Sequence, residues 1–299
     1  MAPKPFLTIA QQIQRLEDRG MSFQDKDLAS HFLQNISYYR LKGYWWDLQA
    51  DFQNHTFQEG VSFEDVIDKY NFDRQLRLII LDAIERIEIA LRTKMIYFMW
   101  EDHGPFWYRE SQYFRRDNWF RSSLDKLEKE FSWSTEIFVV DHKNRFPNEH
   151  PEAMKILEVA SMGTLSKIYK NIKTQLPAKS KIANSMDLNL HTELESWLEA
   201  IVYVRNIAAH HSRLWSRDLV KRPIHELRNP RSTWLSMPLQ EVQQKRIFLS
   251  LTCMLYLCNR VTPGHQIKTK IKSLFATYPD IPIYKIGFLE GWEEQEIWV

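Results

Sequence analysis

From Thr192 to Arg217 the chain runs for twenty-six residues without a Gly or a Pro. Nothing inside such a run breaks a helix. Apolar residues recur at Leu194, Trp197, Leu198, Ile201, Val204, Ala208 and Trp215, which is helical period. Thr192 and Glu195 have capping-box spacing at the start. The stretch therefore predicts one long helix from Thr192 to about Arg217. Continuing its phase puts His211 on the buried stripe. Glu199, Tyr203, Asn206, His210, Arg213 and Arg217 fall on the opposite face. Arg205 sits on a flank, its Cβ roughly 140° round the axis from that of His210.

The same period recurs elsewhere. Eight Gly in 299 residues are too few for a turn-rich β fold, so the fold class is predicted all-α. Ser62 and Asp65 cap a second long helix that runs, with a kink, to about Trp100, with a core stripe at Leu76, Ile80, Ile84, Ile87, Leu91 and Met95. Its charged face carries Arg74, Arg77, Glu85, Glu88 and Arg92. Further helices are expected over Phe6–Arg19, from Ser22 to about Tyr39 and over Trp119–Glu130, with helical pieces over Lys155–Lys173. Two more are expected over Leu239–Arg260 and Lys268–Tyr278. Met1–Pro5 is read as loose and Asn54–Gly60 as a loop or short hairpin. Glu136–Pro151 is read as an exposed connection and Pro177–Leu190 as a polar link. With no Ser/Gly linker or repeat, the organisation reads as an N-terminal helical extension over 1–60 and a helical domain over 61–278. An irregular C-terminal tail over 279–299 packs on the body.

Composition narrows the function mainly by exclusion. A net charge of +2 and a pI near 8.4 do not argue for nucleic acid, so any RNA contact must come from local patches. Cys253 and Cys258 share one apolar run, as packed, reduced thiols, and cannot build a zinc site alone. Met1–Phe6 is not followed by the apolar core of a signal peptide. The longest mostly apolar run, Ile247–Cys258, is too short to span a bilayer. The expectation is a cytoplasmic protein without membrane contact. No Gly precedes a Lys, and G-x-G-x-x-G, G-x-S-x-G and H-E-x-x-H are absent. Adjacent His210 and His211 point to different faces of a helix, which suits joint metal binding badly. No cofactor and no metal are expected.

The residues Arg205, Asn206 and His210 suit one kind of chemistry. A neutral imidazole takes or gives a proton at cellular pH. A guanidinium stays charged and grips phosphate oxygens in a fork. An amide orients either partner. Together they suit attack on a phosphodiester without metal, and in RNA the neighbouring 2′-OH already supplies the nucleophile. Spacing alone is weak evidence, since twenty Arg and ten His give about two chance pairs. Arg145 to His150 and Arg260 to His265 are such pairs, but both intervals contain Pro. The ordinary alternative is a core histidine beside a salt-bridging face.

The wording of the segment adds to its spacing. RNIAAHHSRLWSR, from Arg205 to Arg217, resembles the signature of the Abi-like (abortive infection, AbiD/AbiF) family, part of the HEPN superfamily of all-helical ribonucleases and inactive relatives. ISYYRLKGYWW at Ile36–Trp46, DRQLRLIILDAIERIEIALR at Asp73–Arg92, ILEVASMGTLSKIYKN, IANSMDLNLHTELESWLEAI and VTPGH are similar to family segments too. The resemblance implies a HEPN-like helical bundle. It implies catalytic Arg205, Asn206 and His210, and places a long early helix beside the motif helix. There Glu88 or Arg92 would orient the site, against the alternative of an ion-paired surface. His211 is the doubled histidine of this branch, packing beneath or sharing proton transfer. A role in phage defence by RNA damage is implied, with a structured non-coding RNA as a possible restraint.

Two more regions invite RNA. Tyr38–Trp46 interleaves rings with Arg40 and Lys42 and either stacks on bases or, the favoured reading, fills a seam. The Pro-broken loop after the motif, with Lys221, Arg222, Arg228 and Arg231, offers phosphate contacts alongside Arg213 and Arg217. The reading is a metal-independent endoribonuclease acting as a homodimer, because one histidine per chain is thin for a reaction needing both base and acid. DNA is not an expected partner. The alternatives are a non-catalytic RNA-binding protein using the motif as a phosphate clamp, and a protein-interacting scaffold.

Overall fold

Ser62 accepts a hydrogen bond from the Asp65 N–H, and the Asp65 carboxylate accepts from the Ser62 N–H. This reciprocal cap starts a 41-residue helix, Phe63–His103, of roughly 60 Å. Its predicted stripe, Leu76, Ile80, Ile84, Ile87, Leu91 and Met95, is buried throughout. The computed structural model describes residues 5–299; the expectation for Met1–Pro5 otherwise lies outside the described residues.

In chain order the elements are α1 (Ile9–Glu17), α2 (Lys26–Ile36), α3 (Tyr38–Trp45), β1 (Gln49–Asp51), β2 (Thr56–Phe57), α4 (Phe63–His103), α5 (Asp117–Trp133), α6 (Ile137–Arg145), α7 (Ala153–Ile156), α8 (Met162–Asn171), α9 (Pro177–Ser185), α10 (His191–Ala209), α11 (Glu241–Lys245), α12 (Ile247–Val261) and α13 (Ile267–Thr277). The fold is all-α, with one small antiparallel hairpin. α4 is the central rod: α3, α8, α9, α10, α12 and α13 all pack on it. α10 lies against α4, α8, α9 and α12, with Leu194, Trp197, Leu198, Ile201 and Val204 fully buried. Each such side chain contributes about 1.5–3 kcal/mol of burial. The last twenty residues make three short 3-10 turns that bury Trp292 and Trp298 against Phe248 and Phe288. No helix among the described residues is long and apolar enough to cross a membrane.

Several local expectations need correction. The stretch read as a polar link holds α9, which Pro177 starts at its first turn and which buries Ala178, Ile182 and Ala183. The supposed exposed connection holds α6 and buries His142 beside Phe131 and Phe146. Arg77, expected on a charged surface, is 4% exposed because it pairs with buried Asp73. Of the ring-rich α3 segment, Tyr44 and Trp45 do fill a seam, whereas Tyr39 stands in solvent.

Candidate functional site

The motif helix begins and ends differently from its sequence pattern. It starts at His191, and the Glu193 carboxylate, not a Thr192–Glu195 box, accepts the N–H of Leu190 at 3.1 Å. Glu195 instead pairs with the buried ammonium of Lys179 at 2.6 Å. At the other end α10 stops at Ala209, eight residues short of Arg217. The N–H of Ser212 bonds the C=O of Ile207 at 2.9 Å, and the N–H of His211 bonds that of Ala208 at 3.0 Å. This is the Schellman pattern, with His211 in the left-handed position at φ 55°. Gly usually marks that position. Here a histidine takes it, so the sequence carries no stop signal. His211 is therefore exposed rather than on the buried stripe. His210 caps the helix and is also exposed; its N–H bonds the C=O of Asn206 at 3.1 Å.

The chain beyond the turn is held by a buried carboxylate. Asp73 of α4, fully buried, accepts the N–H of Trp215 at 2.8 Å and of Leu214 at 3.2 Å. It also accepts the Tyr44 hydroxyl at 2.7 Å and the Arg77 guanidinium. Burial pushes the Asp73 carboxyl up, while Arg77, Tyr44 and the two amides pull it back. Burial likewise pushes the Tyr44 phenol up. Trp215, predicted on the helix stripe, is buried in this loop instead, edge-on to Phe72 and beneath the Lys69 ammonium. From α3, Arg40 donates to the C=O of His211 at 2.5 Å. Arg213 lies across Gly43, where a Cβ would meet its Cδ and Nε at 3.2 Å. Arg213 is thus half-buried, donates to the C=O of Trp215, and has its guanidinium pKa lowered by burial. Arg217 donates to the C=O of Arg213 at 3.3 Å. Both arginines thus bond carbonyls of this loop.

On the other side of the motif helix a cleft of about 680 Å³ opens between α5, α8 and α10. Arg205 and Asn206 line it, and neither side chain makes a hydrogen bond or ion pair among the described residues. Three helices face it with like-spaced stripes: Trp119, Ser122, Ser123 and Lys126 on α5; Gly163, Ser166, Lys167 and Lys170 on α8; Glu199, Val202, Arg205 and Asn206 on α10. Four cations thus meet one carboxylate in a protein whose net charge is only +2. Sequence reasoning missed Lys126, Lys167 and Lys170. The pair Lys167–Lys170 at helical spacing, within a segment already singled out, was the available signal.

Glu88 and Arg92 lie on the α4 side of this region. They pair at 3.1 Å, and Arg92 also donates to the C=O of Ala160 at 3.1 Å. Burial raises the Glu88 pKa; Arg92, then Arg205, then the Met162 N–H draw it down. Glu88 therefore feels the motif arginine, whereas Arg92 ties α4 to the chain before α8.

The basic loop turns away from the motif histidines and runs back antiparallel to α10. Lys221 pairs with Glu199, the Ile224 N–H bonds Ser196 Oγ at 3.0 Å, the Arg228 N–H bonds Glu193 at 2.9 Å, and Arg231 donates to Asn189. Lys221 therefore reaches the cleft rim through Glu199, which Lys170 also holds at 2.8 Å. These two lysines keep the Glu199 carboxyl below the usual range. Arg222 is exposed, with Nε near the C=O of Leu219. Arg228 and Arg231 end at the far end of α10, roughly 30 Å along the axis from His210. The structure thus sets Arg205 and Asn206 on the cleft, with Glu88 in electrostatic reach of Arg205, puts His210 one helical turn beyond Asn206, and separates Arg228 and Arg231 from all four.

A family model described as Abi-like protein matches residues 31–216. The matched span takes in α3, the Asp73 contacts, the cleft and the turn at His211, and ends before the basic loop. No curated protein and no solved structure matches the chain.

Proposed function

The chain belongs to the Abi-like protein family, and from that premise we propose that it is a metal-independent endoribonuclease of abortive-infection phage defence, of the HEPN type and the AbiD/AbiF branch. Family membership itself suggests the defence role. The observation that carries the chemistry is Arg205: a guanidinium with no hydrogen-bond partner among the described residues, lining a cleft rich in cations beside Asn206.

In this reading RNA phosphates enter the cleft and are held by Lys126, Lys167 and Lys170. The ribose 2′-OH gives its proton to a base and its oxygen attacks the adjacent phosphorus. The P–O5′ bond then breaks, and the departing O5′ takes a proton from an acid. The products are a 2′,3′-cyclic phosphate and a 5′-OH. Arg205 stabilises the charge on the phosphorane oxygens, Asn206 orients it, and His210 moves a proton. Base and acid are two roles, and each chain brings one exposed His210 at the end of its motif helix. A two-fold dimer joining these ends supplies both. The fixed turn at His211 holds the helix end rather than moving protons. A structured non-coding RNA that occupies the cleft restrains the protein until infection. DNA, lacking the 2′-OH, is not cut.

The test is RNA cleavage in EDTA by wild type, His210→Ala and Arg205→Ala, with folding checked by circular dichroism. Each variant should cut at least about 100-fold more slowly, the usual scale for losing a proton-transfer group or a charge-stabilising donor. Equal cutting by wild type and His210→Ala removes the assigned catalyst. RNA that binds but is never cut assigns the motif to a phosphate clamp.

A further inference from the structure

Phosphate binding explains the lysines of the cleft but not its α5 wall. α5 carries two stripes. Phe120, Leu127 and Phe131 are buried in the core. Trp119, Ser122 and Ser123 face the cleft instead, ahead of Lys126. Trp119 is half-buried, and its indole N–H donates to nothing among the described residues. The guanidinium carbon of Arg116 sits 4.3 Å from its ring centroid, which holds the ring in place. Across the cleft stands Ser166, and neither its hydroxyl nor those of Ser122 and Ser123 make a side-chain hydrogen bond among the described residues.

We propose that this α5 wall is a nucleobase subsite: an unpaired base of the RNA strand stacks on Trp119 while Ser123 and Ser166 meet its edge. The inference rests on the RNA-cleavage reading and adds to it the class of substrate, single-stranded RNA. A ring held by a cation on one side is a stacking surface whose ordering cost is already met by the fold. Hydroxyls both donate and accept, so they suit any base edge and give tolerance rather than strict sequence choice. The neighbouring lysines take the phosphates on either side of the base. A duplex cannot use this wall, because its bases are stacked on each other and its shallow groove presents ribose and phosphate instead. The cleft, at about 680 Å³, lies in the range of ligand-sized sites.

The experiment uses full-length His210→Ala protein, so that RNA is bound and not cut. Fluorescence anisotropy measures affinity for an unstructured RNA oligonucleotide, for the same oligonucleotide with one abasic site stepped along it, and for its duplex. The measurements are repeated with Trp119→Ala and Trp119→Phe added, with Tm as the control for folding. Removing the ring should weaken single-strand binding about tenfold, the scale of one stacking contact, and Trp119→Phe should restore most of it. One abasic position should cost the His210→Ala protein the same factor and cost the Trp119→Ala double variant nothing. The subsite is overturned if both proteins respond alike to every abasic position, if the duplex binds as tightly as the single strand, or if no RNA binds. Retained cleavage by His210→Ala sinks the catalytic assignment instead, and the abasic comparison still decides the subsite.

Discussion

The two flanks of the motif helix's C-terminal end differ in how their polar groups are used. On the α3–α4 flank most are committed, the buried Trp215 indole N–H aside: Asp73 accepts from Tyr44, Arg77, Leu214 and Trp215, Arg40 holds the His211 carbonyl, and Arg213 reaches the Trp215 carbonyl. On the α5–α8 flank the side chains of Arg205, Asn206, Lys167 and three serines line open space with no hydrogen bond among the described residues. A saturated network fixes geometry and has nothing left for a ligand. An unsaturated one in a cleft is kept ready for something outside the protein. Segments that read alike as motif in the sequence therefore divide into a brace and a site.

The largest effect expected from breaking this contrast is at Asp73. Asp73→Ala leaves Arg77 buried without its carboxylate, and strands the Tyr44 hydroxyl and two loop amides. Losing one partner of a buried pair costs about 3–5 kcal/mol. Urea unfolding should show a loss of that size, and activity should fall with it because the turn after His210 is released. A loss below 1 kcal/mol would mean that the brace is not one.

What could be read from sequence follows from the range of the interactions. The stripes of α4 and α10 were readable because burial follows the helical repeat within one segment. The end of α10 was not, since the left-handed position holds His211 in place of Gly. The brace was hidden because its acceptor, Asp73, lies 141 residues before Leu214. The cleft's cations were hidden for the same reason: Lys126, Lys167 and Arg205 converge only when three helices pack. The path of the basic loop depends on contacts such as Arg228 N–H to Glu193, which no local pattern encodes. Of the proposed triad, Arg205 and Asn206 are singled out by pattern and resemblance together and line the cleft, while the loop carbonyls that Arg213 and Arg217 bond are not legible from charge alone.

A middle-sized effect separates His211 from His210. In the left-handed region a non-glycine residue carries about 1 kcal/mol of backbone strain. His211→Gly should relieve that strain, raise stability by up to about this amount in urea, and leave RNA cleavage intact, since the turn itself is kept. Lost cleavage in a stabilised protein would move His211 from the brace to the chemistry.

The smallest effect concerns Glu88, where the cleft meets α4. Burial raises its pKa in the folded state, against the pull of Arg92 and Arg205. The folded protein then takes up this proton before the unfolded chain does. Glu88 accordingly contributes stability at low pH, fully present below the ordinary glutamate range and lost as pH rises through the raised value. Glu88→Gln cannot titrate, so the stability of wild type relative to Glu88→Gln should increase as pH falls from neutral toward that range. Partial exposure keeps the change below about 1 kcal/mol. Paired urea midpoints across pH read it directly. An opposite slope would mean that Arg92 and Arg205 hold the carboxylate ionised, which makes Arg205 a committed group like Arg77 and removes the main support for its place in the chemistry.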